Sequence, residues 1–390
     1  MTTTDSNARL MTPAFAALSA AVLAFFVAGG IFLPAIPRFT IGPIGGDGIA
    51  VGIVVGAFSI SSVLMRPFAG RLADRRGRRI GLLAGAAVTV LATFGHLIAN
   101  DIPVLLLMRL LLGAGEALFF VAAIAAATDL APESRRGEAI SLISLSLYLG
   151  VAIGPVIAEN VLAASGFTAV WLVAGAISLA ALVLSWIAPE TLSATQRAEH
   201  PPNSRLIDRR GVTAGLLALC GVWGMGPFFA FLPLMTDDLG TGASTYFGVF
   251  AIVVVVLRVL GAKLPDRIGA ARLSGTALIF SAVGMAISGL APTEIGLLIG
   301  SAIFAIGVAF TFPAIMAMAV VGVPQGERGV VVGTASLFVD VAFGISPAML
   351  GFLAQWTGYP PTFLVSAVIA AIGAAWLLIR RPGQVVAAPA

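Results

Sequence analysis

Of the ionisable side chains that stand inside long apolar runs of this sequence, where their chemistry is expensive to keep, Arg109, Glu116 and Asp340 are the candidates for function. A charge near the middle of a bilayer costs several kcal/mol, so such a residue is retained where it faces a cavity and does work. Arg109 and Glu116 are seven residues apart. On a helix that places them two turns apart on one face, separated by about 10.5 Å of rise. That is too far for a direct pair but suited to one polar track. Burial in an apolar cavity penalises the charged form of Glu116, which would leave it protonatable under working conditions. Asp340, within Ser336-Leu337-Phe338-Val339-Asp340, is the second candidate for binding a proton or a substrate cation. The competing reading of each is structural: Arg109 bonding backbone carbonyls, Asp340 bridging helices.

The elements that hold these groups follow from composition. The 390 residues are 59% hydrophobic and only 10% charged, whereas soluble domains are about 45–50% apolar and about 25% charged. Apolar runs of membrane-crossing length recur at 13–35, 48–69, 80–99, 104–128, 139–163 and 169–188. They recur again at 211–236, 244–262, 272–292, 296–320, 330–354 and 361–380. The expected class is an all-α membrane protein with twelve transmembrane helices. The run after the polar residues 1–12 is too long for a signal-peptide core and is kept as the first span. The net charge of +4 does not indicate nucleic-acid binding. With both ends inside, the loop arginines and lysines gather on the cytoplasmic side and only Arg38 falls outside, which is the pattern of a multi-pass inner-membrane protein. Cys220 is the single cysteine, so no intramolecular disulfide forms. His96 and His200 are too few and too distant for a metal site. No metal and no cofactor beyond a coupling proton is expected.

The densest charge lies in Gly70-Arg71-Leu72-Ala73-Asp74-Arg75-Arg76-Gly77-Arg78-Arg79, where one acid stands among five arginines. A basic turn between two apolar spans reads as a cytoplasmic hairpin. Gly70 and Gly77 would allow close approach and a sharp turn. Segment 189–210, with Pro201-Pro202 and mixed charge, reads as a linker. The chain also repeats. Asp74 and Asp266, Arg66 and Arg258, Pro132 and Pro324, Arg136 and Arg328, Gly137 and Gly329, and Pro155 and Pro347 are each separated by 192 residues. The expected organisation is therefore a tail at 1–12, a six-helix bundle at 13–188, the linker, a parallel-repeat six-helix bundle at 211–380 and a tail at 381–390. In the second hairpin Ala270-Ala271 replace the arginine pair, so the halves have diverged.

Gly-x-x-x-Asp-Arg-x-Gly-Arg-Arg between the second and third spans resembles motif A of the major facilitator superfamily, and Arg66-Pro67 is similar to that family's drug-efflux branch. Arg109-x-x-x-Gly113-x-Gly115 resembles motif B, whose arginine the resemblance implicates in proton coupling. Gly150-x-x-x-Gly154-Pro155-x-x-Ala158 resembles motif C, the antiporter signature, with Ala158 where the family usually has glycine. The resemblance implies the twelve-helix fold with two parallel-repeat bundles. It implies a cytoplasmic gate at Gly70, Asp74, Arg75, Gly77, Arg78 and Asp129, with Asp129 pairing Arg78 or Arg75. It also implies alternating access with proton coupling. On this reading the first, fourth, seventh and tenth spans line the substrate cavity, where Phe25, Phe26, Phe119, Phe120, Trp223, Phe228, Phe229 and Phe310 offer apolar surface and few polar groups. Such a cavity suits small lipophilic, even cationic, compounds. The expected partners are that substrate, protons and lipid, with no nucleic acid, for a monomer. The alternatives are an exporter of an endogenous sugar, amino acid or siderophore, and a receptor that binds without transporting. A lipid-modifying enzyme would need a cluster of catalytic groups, which the sequence does not display.

Overall fold

A computed structural model describes residues 10–132, 135–192, 208–261, 264, 268–319, 321–323 and 328–379. The tails, most of the linker, and Lys263, Asp266, Arg267 and Pro324 of the repeat lie outside them. Every regular element among the described residues is helical. The first half contains α1 (Pro13–Ile41), α2 (Gly48–Arg76), α3 (Arg78–Gly95) with a short 3-10 turn His96–Ile98, α4 (Ile102–Leu130) and α5 (Arg136–Ile187). The second half contains α6 (Arg209–Val222), α7 (Met225–Ala230), α8 (Leu232–Asp238), α9 (Ala243–Leu260), α10 (Ala270–Leu290), α11 (Glu294–Ala319), α12 (Arg328–Thr357) and α13 (Pro360–Ile379). Among the described residues, eleven candidate spans are long and apolar enough to cross a membrane. One of these, Leu142–Ile187, has 46 residues and is interrupted at Gly166, whose φ of 74° is non-helical, so it supplies both the fifth and sixth expected spans. Leu91, Trp186, Leu260, Leu290, Trp356 and Leu378 are each more than 60% exposed. Apolar outer faces on helices, whose backbone groups bond one another, suit lipid as the surrounding solvent.

Local chemistry explains the helix ends. Asp47 accepts from the Ala50 N–H at 2.8 Å and starts α2; Asp101 accepts from Val104 at 2.9 Å and starts α4. Three sequence expectations need correction. The first span does not end near residue 35. Despite Gly29-Gly30 and Pro34, α1 runs on to Ile41, and the Thr40 hydroxyl donates to the Ile36 carbonyl at 2.8 Å in its last turn. The basic stretch is not a loop: α2 continues helically to Arg76, and Gly77 alone, at φ 128°, makes the turn. The seventh span is three helices, because Pro227 and Pro233 each lack the N–H that helical bonding requires. The Trp223 carbonyl, which Pro227 cannot bond, accepts instead from the Ser346 hydroxyl of α12 at 2.7 Å.

The chain forms two compact units. One comprises Met1–Ala35 with Ile60–Pro202; the other comprises Ile36–Ser59 with Asn203–Ala390. The far ends of α1 and α2 thus pack with second-half helices, and both helices are shared between units. The first unit's core gathers Phe15, Leu18, Leu82, Phe119 and Ile143; the second gathers Leu217, Leu278, Ile315, Met318 and Val331. Within each unit helices meet at glycines. A Cβ on Gly85 of α3 would lie 2.4 Å from the Phe119 nitrogen of α4, and one on Gly284 of α10 would lie 2.4 Å from the Phe304 nitrogen of α11.

Candidate functional site

α4 carries Arg109 and Glu116 into the interior of the first unit, leaving them 7% and 9% exposed. The Ser62 hydroxyl of α2 donates to Glu116 Oε2 at 2.5 Å, and the adjacent Ser61 hydroxyl donates to the Leu110 carbonyl at 2.5 Å. Two consecutive serines therefore tie α2 to α4, one through a carboxylate and one through backbone. Neither serine stood out in the sequence, because a serine within an apolar helix commonly bonds its own backbone. His96 is 1% exposed and packs among aromatic side chains. Its Nδ1 lies 2.8 Å from the Ala92 carbonyl, and its ring lies 5.0 Å from each of the Phe32 and Trp171 rings. Asp340, on α12, is half-buried in the second unit.

The hairpin forms a charged network at one end of the first unit. Arg78 donates to the Asp74 carboxylate one turn back and, through Nε, to Asp129 Oδ2 at 3.1 Å. The Thr191 hydroxyl also donates to Asp129 Oδ2 at 3.1 Å. Glu190, just beyond the sixth span and absent from the expected gate, sits at the N-terminus of α3. Its Oε1 accepts from the backbone N–H groups of Arg78 at 2.9 Å, Thr191 at 3.0 Å and Leu192 at 2.9 Å, and its Oε2 accepts from Arg79 at 3.3 Å. A carboxylate is favoured at the unbonded donors of a helix start. Gly77 leaves the room, since a Cβ there would lie 2.1 Å from Glu190 Oε2. Arg79 crosses to the Trp186 carbonyl and sits 5.9 Å over its ring. Two expected gate residues lie apart from this network: Arg75 is exposed, and Gly70 is inside α2 with open space where its Cβ would be, so no close approach requires it.

Gly150, Gly154 and Pro155 of α5 meet α1 backbone to backbone. A Cβ on Gly150 would come within 2.6 Å of the Phe26 carbonyl carbon, and one on Gly154 within 2.6 Å of Gly30. The second unit has a comparable seam. A Cβ on Gly52 or Gly56 of α2 would lie 2.2 Å from the carbonyl oxygen of Pro347 or Gly344 of α12. In the same unit, Arg38 grips Asp237 with Nε and Nη2, both at 2.6 Å, and reaches the Pro233 carbonyl at 3.4 Å.

The aromatic residues separate into two groups. In the first unit Phe25 stacks on Phe119 at 4.0 Å, Phe26 meets Phe25 edge-on at 5.5 Å, and Phe26 meets Phe120 at 5.6 Å. In the second, Phe228 contacts Phe247, Phe250 and Phe304, and Phe229 faces Phe343. Phe119 and Phe228 are wholly buried and serve as core packing. Phe26 and Phe120 keep part of their surface open. Trp223 lies at the break in the seventh span and Phe310 beside Gly261; both are buried.

The described residues thus form a multi-pass bundle of apolar helices, broken and packed at glycines, with ionisable groups held inside its spans. The family model described as Major Facilitator Superfamily matches residues 18–347 and 214–390. The chain belongs to that superfamily. It is 30% identical over 378 residues to an MFS-type transporter of Salmonella typhimurium, covering 93% of this chain and 96% of that one. It is 26% identical over 285 residues to Multidrug resistance protein 2 of Bacillus subtilis, covering 69% and 71% of the two chains. Among solved structures, a POT family transporter in complex with a thioalcohol-conjugated peptide superposes with a TM-score of 0.81 at 12% identity, over 95% of this chain and 96% of that one.

Proposed function

We propose that this transporter is a proton-coupled efflux carrier of the bacterial inner membrane, with cytoplasmic termini, that exports small lipophilic compounds, cationic ones included, by alternating access. The observation that carries the reading is Glu116, a carboxyl group held within the fourth span, 9% exposed and bonded across helices to Ser62. A buried carboxyl that exchanges a proton for a cationic substrate couples the two flows, because both compete for one negative charge. The half-open rings of Phe26 and Phe120 support an apolar substrate surface in the same unit. The Bacillus subtilis relative supports the drug-efflux direction.

Alternating access needs contacts that hold on one side of the membrane and yield in turn. On this reading the Asp74–Arg78–Asp129 network with Glu190 serves the cytoplasmic side, and the Arg38–Asp237 pair with the α2–α12 seam serves the outer side. The test is transport of tetraphenylphosphonium into proteoliposomes with an acidic lumen. Accumulation that collapses when the pH gradient is dissipated supports proton antiport. Accumulation indifferent to the gradient refutes it.

A further inference from the structure

From the pairing of Ser62 with Glu116 we infer that Ser62 is a positioning residue for coupling: its hydroxyl holds the ionised carboxylate and makes the hold of α2 on α4 depend on whether Glu116 carries a proton. The inference rests on the reading of Glu116 as the proton carrier and deepens it. Ser62 is 3% exposed, and its Oγ lies 2.5 Å from Glu116 Oε2 on a helix 54 residues further along the chain. That hydroxyl donates to the carboxylate, and a bond to an ionised acceptor is roughly twice as strong as a neutral one. When a proton from the aqueous phase adds to a Glu116 oxygen, the negative charge is lost and the bond weakens to the neutral kind. When a substrate cation displaces that proton to water, the strong bond returns. The Ser62 hydroxyl proton stays on Ser62 throughout, and no covalent bond other than O–H on Glu116 forms or breaks.

The location gives this change its consequence. α2 is shared: Gly48–Ser59 pack with the second unit and Ile60–Arg76 with the first. Ser61 and Ser62 lie in the first turn after that changeover. Ser61, bonded to the Leu110 carbonyl, is insensitive to charge, whereas Ser62 is sensitive to it. A proton on Glu116 thus loosens the Ser62 bond and not the Ser61 bond at the point where α2 passes from one unit to the other.

Other ionisable groups lie on the elements of the first unit: Arg109 on α4, His96 on the turn after α3, Arg66 on α2 one turn past Ser62, and Tyr148 and Glu159 on α5. The stretch of α1 within this unit carries none, and α3 carries only Arg78 and Arg79 at its start. The test must therefore isolate Glu116.

The experiment measures the pH profile of tetraphenylphosphonium transport in proteoliposomes for wild type, Ser62→Ala, Ser62→Thr, Glu116→Gln and the double variant Ser62→Ala/Glu116→Gln. Loss of the donor to the charged form should move the midpoint of the Ser62→Ala profile up by about one pH unit, a tenfold change in proton concentration, with the maximal rate within about twofold of wild type. Ser62→Thr keeps the hydroxyl and should restore the wild-type midpoint. Glu116→Gln should lose gradient-driven transport, and the double variant should match it at every pH. Should Ser62→Ala fail to fold, Ser62→Cys, similar in shape and a weaker donor, should give a smaller shift of the same sign. An unmoved midpoint in the variant that folds, or a double variant that differs from Glu116→Gln, overturns the inference. A wild-type pH profile in Glu116→Gln overturns instead the reading of Glu116 on which it rests.

Discussion

Gly56→Ala adds one methyl group at the α2–α12 seam, and the geometry says what must give. The new Cβ would lie 2.2 Å from the Gly344 carbonyl oxygen, against an ordinary contact that starts at 3.4 Å. The obstacle is backbone, so no side-chain rotation relieves it; the helices must part by about 1.2 Å, the difference between those distances. Overpacking of this kind costs about 1–3 kcal/mol, which moves an equilibrium between closed and parted seam roughly 5- to 150-fold toward the parted state. The assay replaces Cys220 with serine, places a cysteine at Ala354, which is 7% exposed and whose methyl lies 3.7 Å from a Cβ built on Gly48, and measures labelling by an impermeant thiol reagent from the outer side. Labelling should accelerate in Gly56→Ala and transport should fall. Gly29→Ala, with nothing within 4 Å of its added methyl, is the matched control and should label like the parent. Parental labelling and parental transport in Gly56→Ala would refute the claim that this seam closes by backbone contact.

Three further outcomes follow from named contacts. Arg78→Gln removes the guanidinium that donates to Asp129, whose side chain is 12% exposed. Transport should drop at least tenfold, and Arg78→Gln/Asp129→Asn should recover part of it in the same vesicle assay. Gly77→Ala combines a φ of 128° with a Cβ 2.1 Å from Glu190; it should lower the thermal unfolding midpoint of purified protein by several degrees, whereas Gly70→Ala, beside open space, should not. Arg38→Asp and Asp237→Arg should each impair transport, with the double reversal restoring it. Because Asp237 is 45% exposed, the effect should shrink as salt is raised.

The class of fold was legible because a bilayer imposes long apolar runs and basic inner loops, and because the repeated Arg66/Arg258 and Pro155/Pro347 positions mark two related halves. Glu116 and Arg109 were visible as charges where charge is costly. Less visible were features that depend on distant partners. Arg38 and Asp237 are 199 residues apart, and nothing local in the sequence relates them. Glu190 looked like the start of a linker, although its carboxylate binds the turn at Gly77. The helical continuation of α2 through Gly70 escaped notice because glycine and arginine together suggest a turn, while helical bonding tolerates both. The assignment of Ile36–Ser59 to the second unit has no local signal at all; it arises from glycines on α2 meeting glycines and a proline on α12.

The most direct test of the coupling claim is proton release from purified protein in weakly buffered detergent solution on addition of tetraphenylphosphonium, comparing wild type with Glu116→Gln and Asp340→Asn. The account predicts release by wild type and by Asp340→Asn and none by Glu116→Gln. Equal release from wild type and Glu116→Gln would contradict it.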